Sequence, residues 1–212
     1  MVRKVTLAAG GLMAFGLGAL ALMIWASNPM AEAQADKGAQ PFKDTKGPHL
    51  VIQVAGDYAN GTVVIDLLPH VAPKTVAQII KLADSGAYDG VVFHRVINGF
   101  MAQTGDVKYG RRGGDLSRAG MGGSSLPNVP AEFSNVPFQR GTVGMARADD
   151  PNSGNSQFFI MFAPAPQLNG QYTVFGHVIS GMDVVDKIKR GNGANGEVTQ
   201  DPDYMAKVTV QQ

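Results

Sequence analysis

Apolar positions along this chain fall into one long uninterrupted run near the N-terminus and then into many short ones. The short runs are rich in β-branched residues and bounded by Gly, Pro, Asn and Asp, a pattern of strands and turns. HLVIQVA at His49–Ala55 and GTVVIDLL at residues 61–68 predict a strand pair across the turn residues 56–60. Residues 141–148, 157–162, 172–179 and 205–210 predict further strands. Two stretches follow the helical period instead. Over residues 73–85, Val76, Ile79, Ile80 and Ala83 share one face, Pro73 sits in the first turn and Gly86 supplies the stop. A second helix is expected from Ser180-Gly181 to Gly191, with Asp183 and Asp186 early and Lys187, Lys189 and Arg190 late, matching the macrodipole. Strands without βαβ alternation argue for a mainly antiparallel sheet closed or nearly closed on itself, its open end plugged by the first helix. Periodicity alone does not fix the strand number.

The pattern is tightest over residues 88–105, YDGVVFHRVINGFMAQTG. Strand side chains alternate faces, so Phe93, Arg95 and Ile97 share one face, and Met101 and Gln103 share one face of the next strand. Asn98-Gly99 between them is a hairpin-turn signal, both residues tolerating positive φ. A guanidinium and an amide are thereby held beside an apolar surface, which suits binding a peptide group next to an apolar ring better than breaking a bond. From the residues alone, the ordinary reading of an Arg between apolar neighbours is a snorkelling or ion-paired side chain, with Phe and Met as core.

The N-terminal run changes the picture of where the domain works. Arg3 and Lys4 precede an uncharged, mostly apolar stretch from Val5 to Ala26, followed by Asn28-Pro29 and overlapping A-x-A patterns at residues 31–35. A basic start, an apolar run and A-x-A read as an export signal. The run is longer than an ordinary signal core and close to the ~20 residues that span a bilayer. Residues 1–35 are therefore read as a signal peptide or a membrane anchor, cleavage being favoured, with residues 5–26 as the inner-membrane anchor in the second case. Either way the positive-inside rule places the domain outside the cytoplasm, as a periplasmic or otherwise exported protein. Residues 36–48 are polar and bear Gly and Pro, as a linker does, leaving residues 49–212 as the domain.

Composition narrows the chemistry. With 18 basic and 17 acidic residues the chain offers no electrostatic case for nucleic acid. It has no cysteine, which removes disulfides, thiolate catalysis and Cys-type zinc sites together. His49, His70, His94 and His177 have no metal-ligand spacing, and no G-x-S-x-G nucleophile elbow occurs. The stretch DDPNSGN at residues 149–155 echoes a calcium loop but lacks its glycine spacing and its final Glu, so no metal is expected. Residues 106–130 are rich in Gly, Ser and Arg but match no phosphate-binding motif, and read as an irregular loop. His94 reads as a buried, hydrogen-bonded strand residue rather than an acid or base. No cofactor is implied, and the remaining tools are hydrogen bonds and shape.

FHRVINGFMAQTG at residues 93–105 resembles the F-H-R-x-x-x-G-F-M-x-Q-x-G signature of the cyclophilin family of peptidyl-prolyl isomerases, and SQFFI at residues 156–160 resembles a second phrase of that family in the right order. The resemblance runs from about His49 to Val210. It implies a closed eight-stranded antiparallel β-barrel capped by two α-helices. It also implies that Arg95 is the key catalytic side chain, with Gln103 orienting it and bonding the substrate backbone. Phe100, Met101, Phe159 and Leu168 would form the proline pocket. Ala146, Arg147 and Ala148 would line the groove with Gln157 along it, and His94 would lie near the site. The expected partners are proline-containing unfolded or extended polypeptides, met by a monomer that touches a membrane only through its N-terminal segment.

Three positions depart from the family pattern. Arg147 stands where many members have Asn, at a position thought to act through its backbone. Tyr172 stands where many have a rim His. Gln167 stands where many eukaryotic members have the Trp associated with tight cyclosporin binding, so inhibition by that drug is expected to be weak. Two functions compete: an exported isomerase, and a non-catalytic peptide-binding or chaperone module on the same fold. Retention of the cation favours the first.

Overall fold

The computed structural model describes residues 42–212. The export segment and residues 36–41 of the expected linker lie outside the described residues. The chain is mainly β, with strands β1 (His49–Ala55), β2 (Gly61–Leu67), β3 (Val91–Val92), β4 (Arg95–Ile97), β5 (Met101–Thr104), β6 (Thr142–Met145), β7 (Phe158–Met161), β8 (Val174–Ser180) and β9 (Tyr204–Gln211). Among the described residues, helices α1 (Pro73–Asp84) and α2 (Met182–Val185) complete the regular elements, with two short 3₁₀ turns at Leu116–Arg118 and Pro166–Leu168. The strands form one nine-stranded sheet in the order β3-β9-β1-β2-β8-β6-β7-β5-β4. Every pairing is antiparallel. The two outermost strands, β3 and β4, are separated along the chain by only Phe93 and His94.

Alternation divides the sheet's side chains between two apolar clusters. In β7, Phe158 and Ile160 join the main core while Phe159 and Met161 join a smaller second cluster. In β5, Ala102 goes to the first and Met101 to the second. The main core takes Leu50 and Ile52 of β1, Ile65 and Leu67 of β2, and the apolar stripe of α1 (Val76, Ile79, Leu82 and Ala83). That stripe is why a 12-residue helix of otherwise polar sequence docks on the sheet.

The start of α1 has no side-chain cap of its own, since Ala72 precedes it. Glu132 substitutes from a distant loop, its carboxylate accepting from Lys74 N at 3.0 Å and Thr75 N at 2.8 Å. Before β1, Phe42 stacks on His177 of β8 at 3.7 Å between ring centroids, and Thr45 donates twice to Asp66 of β2.

One local expectation is corrected and one is met. The second helix ends after Val185 instead of running towards Gly191. Lys187 and Ile188 donate to carbonyls three residues back, and Lys189 N is captured by the buried carboxylate of Asp203 at 2.8 Å, so the α pattern cannot continue. The β4–β5 hairpin turns at Asn98-Gly99, as the sequence predicts. Ile97 pairs with Met101, Phe100 N donates to Ile97 O at 3.1 Å, and of the two turn residues only Gly99 has positive φ, +69°. Glycine there meets the backbone demand of the third turn position, and Asn98 keeps an ordinary conformation.

Candidate active site

Strand register builds the site. Arg95 of β4 lies opposite Gln103 of β5, Gln103 opposite Phe159 of β7, and Phe159 opposite Gly144 of β6. Residues directly opposite in an antiparallel pair point to the same face. One transverse row therefore carries a guanidinium, an amide, an aromatic ring and a missing side chain. The missing one matters: a Cβ on Gly144 would stand 2.5 Å from Phe159 Cζ and 2.7 Å from Phe138 Cε1. Gly144 leaves the space into which Phe159 leans, stacked on Phe138 with ring centroids 5.7 Å apart.

Around this row the second apolar cluster assembles most of the residues named from sequence. Met101 and Phe159 are buried in it, and Phe100, Ala146, Leu168 and Tyr172 are partly buried against it. The Tyr172 ring meets Phe159 edge-on at 5.8 Å. Half-exposed apolar side chains over a buried aromatic floor make an apolar surface suited to a small apolar ring.

Arg95 is held from two sides. Its Nη1 donates to Gln103 Oε1 at 3.2 Å, and its Nε donates to Asn195 O at 3.0 Å and Asn195 Oδ1 at 3.2 Å. Among the described residues, Nη2 has no protein partner within hydrogen-bond distance. Burial pushes the guanidinium below its usual pKa, opposed by Tyr172; an arginine nevertheless stays charged at any physiological pH. The result is a fixed cation, partly stripped of water, with one donor edge unspent.

Gln103 is itself oriented. Its Nε2 donates to Gln157 Oε1 at 2.9 Å, and Gln157 Nε2 donates to Gly120 O at 2.9 Å and Gly122 O at 2.7 Å. Gln157 thus serves as a link behind Gln103. Ala146 pairs with it through the backbone, Ala146 N donating to Gln157 O at 2.9 Å.

Arg147 lies over the Tyr172 ring at 4.6 Å, its guanidinium donating to the carbonyls of Ala148, Asp149 and Gln171. Its side chain ties the rim of the apolar surface together. Ala148 is exposed beside it, its N–H donating to Ser153 Oγ.

His94 departs from expectation. It is buried at 5 % exposure, but it lies between β3 and β4, and neither ring nitrogen has a hydrogen-bond partner among the described residues. Burial holds its pKa down to about 4, against the opposing pull of the Asp106 carboxylate, so the ring is neutral near pH 7. Gly120 lies against it, close enough that a Cβ there would stand 3.1 Å from the ring. His94 is a packing residue beneath the site's supporting loop.

Sequence reasoning missed Asn195, Asp106 and Phe138. Asn195 lies in a Gly/Asn-rich turn that carries no pattern, and reaches Arg95 only because Val96 N donates to Gly196 O and Gly191 N to Val96 O. Asp106 directly follows the signature phrase, two residues past the end of β5, and that adjacency is its one sequence signal. Among the described residues, the grouping of potential metal ligands formed by Asp44, His49 and Asp66 lies outside this row. Its carboxylates are already engaged by Thr45, Lys46 and His49.

The family model described as cyclophilin type peptidyl-prolyl cis-trans isomerase/CLD matches residues 49–210. A probable peptidyl-prolyl cis-trans isomerase of Brucella suis is 60 % identical over 154 residues, covering 72 % of this chain and 79 % of the relative. A peptidyl-prolyl cis-trans isomerase-like 1 of Neurospora crassa is 39 % identical over 143 residues, 66 % of this chain and 82 % of the relative. Among solved structures, a cyclophilin from Hirschia baltica superposes with a TM-score of 0.62 at 28 % identity, covering 76 % of this chain and 73 % of that one. A cyclophilin type isomerase of Cryptosporidium parvum, solved in the presence of the dipeptide Ala-Pro, gives a TM-score of 0.64 at 27 % identity over 77 % of this chain and 99 % of that one. The Arg95 row and its apolar surface thus sit on the fold of a known rotamase family, and the chain belongs to the cyclophilin-type peptidyl-prolyl cis-trans isomerases.

Proposed function

We propose that the Arg95 row is the centre at which this isomerase acts, that the proline ring of a substrate lies on the apolar surface over Phe159, and that Arg95 supplies the decisive charge. The observation that carries the reading is the immobilised guanidinium with one free donor edge beside that surface. Rotation about an X-Pro bond breaks no covalent bond; its barrier of ~18–20 kcal/mol is amide resonance. As the bond twists, the imide nitrogen becomes pyramidal and its lone pair localises. A donor aimed at that lone pair binds the twisted state better than either planar state, and so lowers the barrier. The rigid, always charged fork of arginine suits this better than lysine. Lowering the barrier by ~7 kcal/mol corresponds to roughly a 10⁵-fold acceleration.

Phe100, Met101, Phe159, Leu168 and Tyr172 hold the ring, and Gln103 keeps the guanidinium in place. Ala146, Arg147 and Ala148 offer groove backbone to an extended chain. The substrates are proline-containing unfolded or extended polypeptides. The β3–β4 segment reads as one bent strand serving both edges of the sheet, which supports closure as an eight-stranded barrel. The basic, apolar and A-x-A features of residues 1–35 support work outside the cytoplasm on the slow folding steps of envelope proteins. We read the domain as a monomer.

The test is cis/trans exchange of an X-Pro peptide followed by two-dimensional NMR exchange spectroscopy with the protein at catalytic concentration. Exchange cross-peaks that build up faster than in buffer are expected. Exchange no faster than in buffer, with the peptide nevertheless bound, would leave only a peptide-binding module.

A further inference from the structure

Behind the Arg95–Gln103–Gln157 series stands a buried carboxylate, that of Asp106. Asp106 is fully buried and its carboxylate accepts four backbone N–H groups. Oδ1 takes Lys108 N at 3.0 Å and Tyr109 N at 2.9 Å, where the loop leaves β5. Oδ2 takes Gly120 N at 2.8 Å and Gly122 N at 2.9 Å, where the loop returns. One carboxylate therefore staples both ends of a long irregular loop. The same two glycines whose N–H groups it holds present their carbonyls to Gln157 Nε2.

The direction of the series follows from its ends. A guanidinium only donates and a carbonyl only accepts. Gln103 must turn Oε1 to Arg95 and Nε2 to Gln157, and Gln157 must turn Oε1 to Gln103 and Nε2 to the loop. Every amide in the relay has one satisfactory orientation, provided the carbonyls of Gly120 and Gly122 stay in place.

We infer that Asp106 is a positioning residue for the isomerase reaction: by stapling the loop at Gly120 and Gly122 it fixes the Gln157–Gln103 relay that aims Arg95. This rests on the reading of Arg95 as the group that stabilises the twisted bond. Asp106 reaches no open surface and touches no substrate. Its effect passes through geometry, where misplacement of a reacting group by about 1 Å costs up to ~100-fold in rate.

The test uses Asp106→Asn and Gly122→Ala. In the first, an amide N–H₂ must face backbone N–H donors, which releases one end of the staple. In the second, the added methyl falls on Asp106 Oδ1 and within 2.8 Å of Lys108 Cβ and Tyr109 Cδ2, pushing the returning loop off the carboxylate. For each folded variant, exchange at saturating peptide and peptide Kd are measured separately, alone and combined with Gln157→Ala. Exchange about 10–100-fold slower is expected, with Kd changed by less than about threefold and the Gln103 and Gln157 side-chain amide resonances displaced. In the double variants the losses should not multiply, because both changes cut one relay. Should Asp106→Asn fail to fold, Gly122→Ala carries the test alone. Exchange within twofold of wild type, or losses that multiply with Gln157→Ala, would overturn the inference. An inert wild type would instead overturn the reading of Arg95 itself, so the two failures are distinguishable.

Discussion

Among single residues, catalysis depends on which groups are held and which are left free. Gln103 bridges Arg95 and Gln157, so Gln103→Leu leaves the guanidinium anchored only by Asn195. Exchange slower by roughly tenfold or more is expected, with a smaller loss of peptide affinity from the backbone contact removed, and separate turnover and binding measurements check the split. Burial sets a second prediction. Both His94 and His177 are held neutral with pKa values lowered to about 4, burial being the first cause in each case. The unfolded chain takes up these protons near pH 6.5, whereas the folded chain resists until about pH 4. Between those values the unfolded state binds more protons, so stability falls as pH falls through that window, by on the order of 3 kcal/mol per imidazole at most. Denaturation midpoints measured from pH 7 to pH 4 should drop, and His94→Gln/His177→Gln should flatten the drop if it still folds. A midpoint independent of pH would contradict the burial argument.

At the scale of elements, register does the organising. Arg95, Gln103, Phe159 and Gly144 come from four strands, yet they meet because each is directly opposite the next. Gly144→Ala should overpack the row against Phe159 and Phe138, destabilising by about 1–3 kcal/mol and distorting the apolar surface. Thermal unfolding and peptide titration would check both effects; unchanged peptide affinity would mean that the Phe159 ring does not shape that surface. Much of this level was legible in the chain. The alternation of Met101 and Gln103 against Ala102, and the stripe of α1, can be read because period and burial coincide. The rest could not be, for physical reasons. Glu132 caps α1 from a loop 57 residues away, and Asp203 stops α2 by taking Lys189 N, so neither boundary was set by local residues. The site's own residues were found through the signature phrase. Asp106 and Asn195 act through backbone groups brought near by the fold, and such contacts leave no periodic trace.

At the scale of the whole molecule, the folded domain and the N-terminal run answer different questions. The domain explains how a bond is turned; residues 1–35 bear on where. Under the proposed export, mass spectrometry of the protein recovered from its native cells should find a chain beginning after the A-x-A sites, and an intact Met1 to Ala26 segment would contradict cleavage and support the anchor. The proposed eight-strand closure predicts that the β3–β4 junction at Phe93–His94 exchanges its amide hydrogens only with the global unfolding of the sheet. The central claim is that Arg95 recognises the twisted bond and not the planar ones. Its most direct test compares wild type with Arg95→Ala in two measurements on one X-Pro peptide: Kd by titration and exchange rate in the bound state by NMR. A Kd within a few-fold and bound-state exchange slowed by at least ~100-fold are expected. Equal exchange rates in the two proteins would contradict it.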